Sequence, residues 1–108
     1  MAESFGVLAQ LKPSANTRTD ALIVTSSGVV VSTITAANVG GYPETFTISV
    51  AKSGAVHADQ QVIYPDIPLP TSNTWAATIG LTLGTGDVLR VMSAGGGVAF
   101  NAFGSVVS

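Results

Sequence analysis

The chain has 108 residues, 46% hydrophobic and only 9% charged, with no cysteine and a formal net charge of −2 at pH 7. That length fits one domain, which buries roughly two thirds of its unfolded surface and needs no staples. Disulfides and thiolate metal sites are excluded, and Lys12, Arg18, Lys52 and Arg90 are too scattered to track a phosphate backbone, so nucleic acid is not expected as a direct partner.

The start, Met1-Ala2-Glu3-Ser4, places an acid where a secretory leader carries bases, so synthesis in the cytoplasm is expected. No apolar run approaches membrane-spanning length, and no membrane partner is expected. Phe5 to Leu11 reads as a first strand and Ala21 to Thr25 as a second, followed by Ser26-Ser27-Gly28 and a long β-branched run, Val29 to Ala37. After Asn38-Val39-Gly40-Gly41-Tyr42-Pro43 comes the clearest alternation, in which Phe46, Ile48 and Val50 interleave with Thr45, Thr47 and Ser49. Period two with a polar face marks a half-buried strand.

Gln61 to Tyr64 is a short strand, and the segment Tyr64-Pro65-Asp66-Ile67-Pro68-Leu69-Pro70 is expected to cross between sheets, because proline cannot donate to a central ladder. Trp75, Ala77, Ile79 and Leu81 alternate with Thr74, Ala76, Thr78 and Thr82 as one run. Val88 to Met92 and Val98 to Phe103 complete a set of about eight strands. Gly84-Thr85-Gly86-Asp87 and Ala94-Gly95-Gly96-Gly97 read as hairpin turns, since glycine supplies the positive φ that tight hairpins need. No stretch has helical periodicity. The pattern predicts an all-β fold, a single antiparallel β-sandwich of Greek-key or jelly-roll type over residues 1–108, with 1–12 as an N-terminal arm or swapped strand.

Chemistry-bearing residues are sparse. His57, the only histidine, lies in what reads as a solvated loop with Asp59 nearby, and two residues do not make a metal site. Six acids, Glu3, Asp20, Glu44, Asp59, Asp66 and Asp87, stand singly and offer no general acid–base pair. The glycine turns lack the strand-to-helix setting of a phosphate cradle. No catalytic residue, metal or cofactor is therefore expected. Phe46 and Trp75 fall among aliphatic neighbours and read as core, whereas Tyr42 and Tyr64, each beside a proline, read as surface aromatics suited to partner contact.

Ordinary domains carry roughly 25% charged residues. A chain this poor in charge is expected to be covered by neighbours in an assembly. Val31-Ser32-Thr33-Ile34-Thr35-Ala36-Ala37-Asn38, Glu44-Thr45-Phe46-Thr47-Ile48-Ser49-Val50, Asp87-Val88-Leu89-Arg90-Val91, the ending Phe100-Asn101-Ala102-Phe103-Gly104 and the opening Gly6-Val7-Leu8-Ala9-Gln10-Leu11-Lys12-Pro13 resemble small β-sandwich virion proteins of tailed bacteriophages. The resemblance spans almost the whole chain and rests on strand and turn patterns. It implies a noncatalytic virion protein on the capsid exterior, a head decoration (cement) protein bound to the major capsid protein as a homo-oligomer, with a trimer favoured. The alternatives are a tail, baseplate or fibre-base subunit and, in another class, a carbohydrate-binding sandwich using Trp75, or Tyr42 and Tyr64, on one face. The expected interface comprises Glu3, Phe5, Val7, Leu8 and Leu11 of the arm, Tyr42, and the segment containing Tyr64, Pro65, Ile67, Pro68, Leu69 and Pro70.

Overall fold

In the computed structural model, residues 3–107 are described, with side chains from residue 4. Among them the alternating runs become nine strands: β1 (Glu3–Leu11), β2 (Thr19–Ile23), β3 (Gly28–Asn38), β4 (Glu44–Ala51), β5 (Val62–Leu69), β6 (Thr74–Ala77), β7 (Leu81–Gly84), β8 (Val88–Ser93) and β9 (Val98–Val107). Two single 3-10 turns, Lys52–Gly54 and Asp59–Gln61, are the only helical segments among the described residues. A five-stranded sheet runs β1-β9-β3-β6, with β7 also paired to β3, and a four-stranded sheet runs β2-β8-β4-β5. Every pairing is antiparallel.

This order is that of a jelly roll. β1 pairs with β9, β2 with β8, β3 with β6 and β7, and β4 with β5, so the chain forms one long hairpin whose tip is the 52–61 segment. Rolling that hairpin up adds the β3–β9 and β4–β8 ladders. The segments 84–87 and 94–97 are not hairpin turns within a sheet, because each carries the chain from one sheet to the other, as 26–28 and 38–43 also do. Glycine chemistry is the same for both kinds of turn: Gly86 and Gly96 take φ of +89° and +79° while bridging sheets.

Two further expectations change. The 64–70 segment does not cross between sheets. Residues 64–69 belong to β5, an edge strand paired only with β4, where proline is tolerated because one side of the ladder is empty. The crossing comes next, in a turn where the Asn73 amide donates to the Pro70 carbonyl at 3.1 Å. The single run expected over residues 74–82 is split into β6 and β7 at Gly80, whose φ is +60°. The split lies level with irregularities in the neighbouring strands. β1 shifts register between Val7 and Ala9, β3 shifts between Val31 and Thr33, and both shifts lie beside Phe103 of β9. Bulges aligned across a sheet bend it at one level. At that level the Ile79 amide reaches the Ser32 carbonyl at 3.2 Å.

One core cluster draws on both sheets, including Val29, Val31, Ile34, Phe100 and Ala102 from one and Phe46, Ile48, Leu89 and Val91 from the other. Phe46, only 1% exposed, stands edge-on to Trp75 at 4.9 Å and to Phe100 at 5.8 Å between ring centroids. The core reading of Phe46 and Trp75 agrees with this packing. Asn38 is buried, and its amide donates to the carbonyls of Tyr42 and Leu69 while its Oδ1 accepts from the Gly40 amide. A buried amide with three partners fixes the β3–β4 connection against β5.

Candidate functional site

The expected interface residues are divided by the fold. Segment 3–11 is no free arm in this structure: it lies against β9 of its own chain, from Glu3 opposite Val107 to Leu11 opposite Phe100. The side chain of Glu3 lies outside the described residues. Phe5 and Val7 stand 79% and 58% exposed, whereas Leu8 and Leu11 are half-buried against the core. Tyr42 is 81% exposed and lines an open cleft of about 540 Å³ with Pro43, Glu44, Thr45, Pro68, Ala94 and Gly95. β1 and β5 are edges of different sheets, so the two halves of the expected interface are not brought together.

Tyr64 and Leu69 need correction. Tyr64 is not a surface aromatic; it turns inward and packs edge-on against Trp75 at 4.8 Å, closing the sandwich between β5 and β6. Leu69 is 3% exposed and belongs to the core, because alternation along β5 points it inward with Ile67, while Pro65, Pro68 and Pro70 remain exposed. With Tyr64 packed edge-on against Trp75, Tyr42 and Tyr64 do not stand together on one exposed face.

Sequence reasoning missed the rest of the surface around Phe5 and Val7. Register places Phe5 beside Ser105 and Ser105 beside Val30, then Val7 beside Phe103 and Phe103 beside Thr33. Phe5, Gly6, Val7, Val30, Ser32, Phe103, Gly104 and Ser105 line a shallow apolar groove of about 430 Å³ on the outer face of the five-stranded sheet. Glu3 is the only charged residue in those five strands. At the floor of the groove β9 runs close to β3, so that a Cβ at Gly104 would overlap the Val30 carbonyl.

The outer face of the four-stranded sheet is built differently. The 52–61 segment is held by Arg90, whose Nη1 donates to the Ala55 carbonyl at 2.8 Å while its Nε donates to Asp20 Oδ1 at 2.9 Å. Asp87 fixes the start of the same segment by accepting from the Ser53 and Gly84 amides, both at 2.9 Å. These two amides hold the Asp87 carboxyl below its ordinary range, Ser53 contributing most, then Gly84.

Between this segment and the sheet lies a polar recess of about 480 Å³, lined by Arg18, Thr47, His57, Asp59, Val62, Pro65, Asp66 and Met92. The loop expected to be solvated is thus folded back, and His57 is half-buried. Asp66, at φ +40°, donates its amide to Thr47 Oγ1 at 3.1 Å. Arg18 Nε and His57 Nδ1 are buried without hydrogen-bond partners among the described residues. The recess joins a base, an imidazole and two carboxylates, but no hydrogen bond links His57 to either acid, and no group of three metal-ligating side chains occurs among the described residues.

The glycine loop 94–97 proves to be an anion nest already filled. The amides of Gly95 and Gly97 donate to the two carboxylate oxygens of Glu44 at 2.7 and 2.9 Å. A Cβ at Gly95 would stand 2.6 Å from Glu44 Oε2, so a larger residue there would displace the carboxylate from its present position.

Comparison with family models, curated proteins and solved structures finds no match to this chain.

Proposed function

We propose that this protein is a noncatalytic structural subunit of a bacteriophage virion, a capsid decoration protein that binds the assembled coat lattice and reinforces the head. The observation that carries this reading is the outer face of the five-stranded sheet, apolar along Phe5, Val7, Val30 and Phe103 and free of charge beyond Glu3. A sheet face of that kind is a liability on a free monomer and an asset against a fixed neighbour. The resemblance of the strand and turn patterns to tailed-phage virion proteins supports the same class of role.

The mechanism is mass action. A protein that binds only the assembled shell stabilises it, by about 2.7 kcal/mol per site at roughly one hundred times its dissociation constant. No covalent step is required, and the sandwich acts as a rigid wedge whose bare face meets the major capsid protein.

Calibrated mass spectrometry of purified particles, measuring this chain against the major coat protein, tests the reading. Abundance comparable to coat is expected. A small fraction of coat abundance would move the protein to the tail or baseplate, and absence from particles would overturn the virion role.

A further inference from the structure

We propose that the free edge of β1 pairs antiparallel with β1 of a second copy across a two-fold axis, joining two five-stranded sheets into one continuous sheet. This inference does not depend on the virion reading. It rests on how the edges of the sandwich are made. A sheet edge presents unpaired amides and carbonyls, and proteins protect such edges with proline, charge, bulges or brevity.

Three of the edges are protected in this way. β5 contains Pro65, Asp66 and Pro68, and its ladder to β4 is broken twice by register shifts. β2 has five residues, a register shift between Asp20 and Leu22, and a charge in Asp20. The edge opposite β1 in its own sheet is made of β6 and β7, four residues each, interrupted at Gly80. β1 is the longest edge, nine residues, with no proline and no charge from Ser4 to Leu11, and its one irregularity is the register shift between Val7 and Ala9.

Pairing between sheet edges needs two open edges, and each molecule has one. The contact must therefore be isologous, β1 against β1, and it closes as a pair instead of propagating into a ring or filament. Charge selects the antiparallel arrangement: Glu3 opens the strand and Lys12 follows its end, so antiparallel copies bring opposite signs together and parallel copies bring like signs together. The register shift between Val7 and Ala9 lies at mid-strand, so antiparallel copies set bulge beside bulge near the axis. The Phe5 and Val7 side chains of both copies then flank the axis, and the two apolar grooves meet.

The absence of native cysteine makes a disulfide test free of background. Single substitutions Val7→Cys, near the axis, and Val56→Cys, 89% exposed on the 52–61 segment, are compared under mild oxidation of the full chain. Val7→Cys is expected to yield covalent dimer faster by about a factor of ten or more, because only there are the two sulfurs held within bonding reach. Sedimentation equilibrium of the unmodified chain is expected to give twice the 10.8 kDa monomer mass. Val7→Lys and Phe5→Lys, each on an exposed position, are expected to return it to monomer by setting like charges about the axis. A monomer at all concentrations, a trimer, a dimer unaffected by both lysine variants, or equal cross-linking at the two cysteines would overturn the proposal. No dimer of the unmodified chain, together with normal particle incorporation, would refute this edge contact alone, and a dimer that is absent from particles would refute the virion reading alone.

Discussion

The four strands β2, β4, β5 and β8 carry one charged residue each, whereas the five strands of the facing sheet hold Glu3 and no other. The difference extends to what lies over each sheet. The four-stranded sheet is covered by the chain's own 52–61 segment, fastened by Arg90 and Asp87, with a polar recess beneath it. The five-stranded sheet ends in a bare apolar groove beside an open edge. Both sheets bury the same core, so core formation does not explain the contrast. One outer face is covered by the chain's own segment, and the other is bare.

The comparison can be broken from the inside first. Phe46→Ala empties the centre of the aromatic cluster and is expected to cost about 3–5 kcal/mol. Chemical denaturation should show that loss, with amide exchange rising on both sheets together, since both pack on Phe46. Removing only the cover is the sharper cut. Arg90→Met deletes the contacts to Asp20 and Ala55 and is expected to destabilise by about 1–3 kcal/mol. Exchange should rise in residues 52–61 while β1 and β9 are unchanged.

Acid should loosen the Asp87 anchor of the 52–61 segment. The Asp87 carboxyl lies below its ordinary range in the fold, so its contribution is complete above the unfolded carboxylate value. That contribution is lost as pH falls through the lowered value. The Ser53 and Gly84 amide resonances should follow this titration, and Asp87→Asn should abolish it. The smallest effect on stability belongs to the bare face: Val7→Lys is expected to change unfolding free energy by no more than about 0.5 kcal/mol. Its consequence should be confined to association, seen as a lower sedimentation mass.

The sandwich itself was legible in the sequence because alternation is local. Phe46, Ile48 and Val50 declare a strand whatever its partners are. What alternation lacks is the partner. The pairing of β1 with β9 joins residues as distant as Gln10 and Asn101, hydrogen-bonded at 2.8 Å, and nothing near Gln10 announces that register. The same gap made the inter-sheet turns read as hairpins and hid the edge position of β5, where Pro65 and Pro68 signal an edge as readily as a crossing. Half of the candidate surface was visible: Phe5 and Val7 lie on one segment, whereas Val30 and Phe103 join them only once three strands are in register. Tyr64 shows the opposite failure, since a proline neighbour suggested exposure and only the Trp75 ring across the sheet interface turns it inward.

The proposed contact with a neighbour lies at the β1 edge and on the face beside it. Amide hydrogen exchange of the unmodified chain at low and high protein concentration tests it most directly. Protection that grows with concentration across residues 4–11, with residues 52–61 and the β5 edge unchanged, is the result this account predicts. Exchange along β1 that is the same at every concentration, or protection that grows instead on β5, would contradict it.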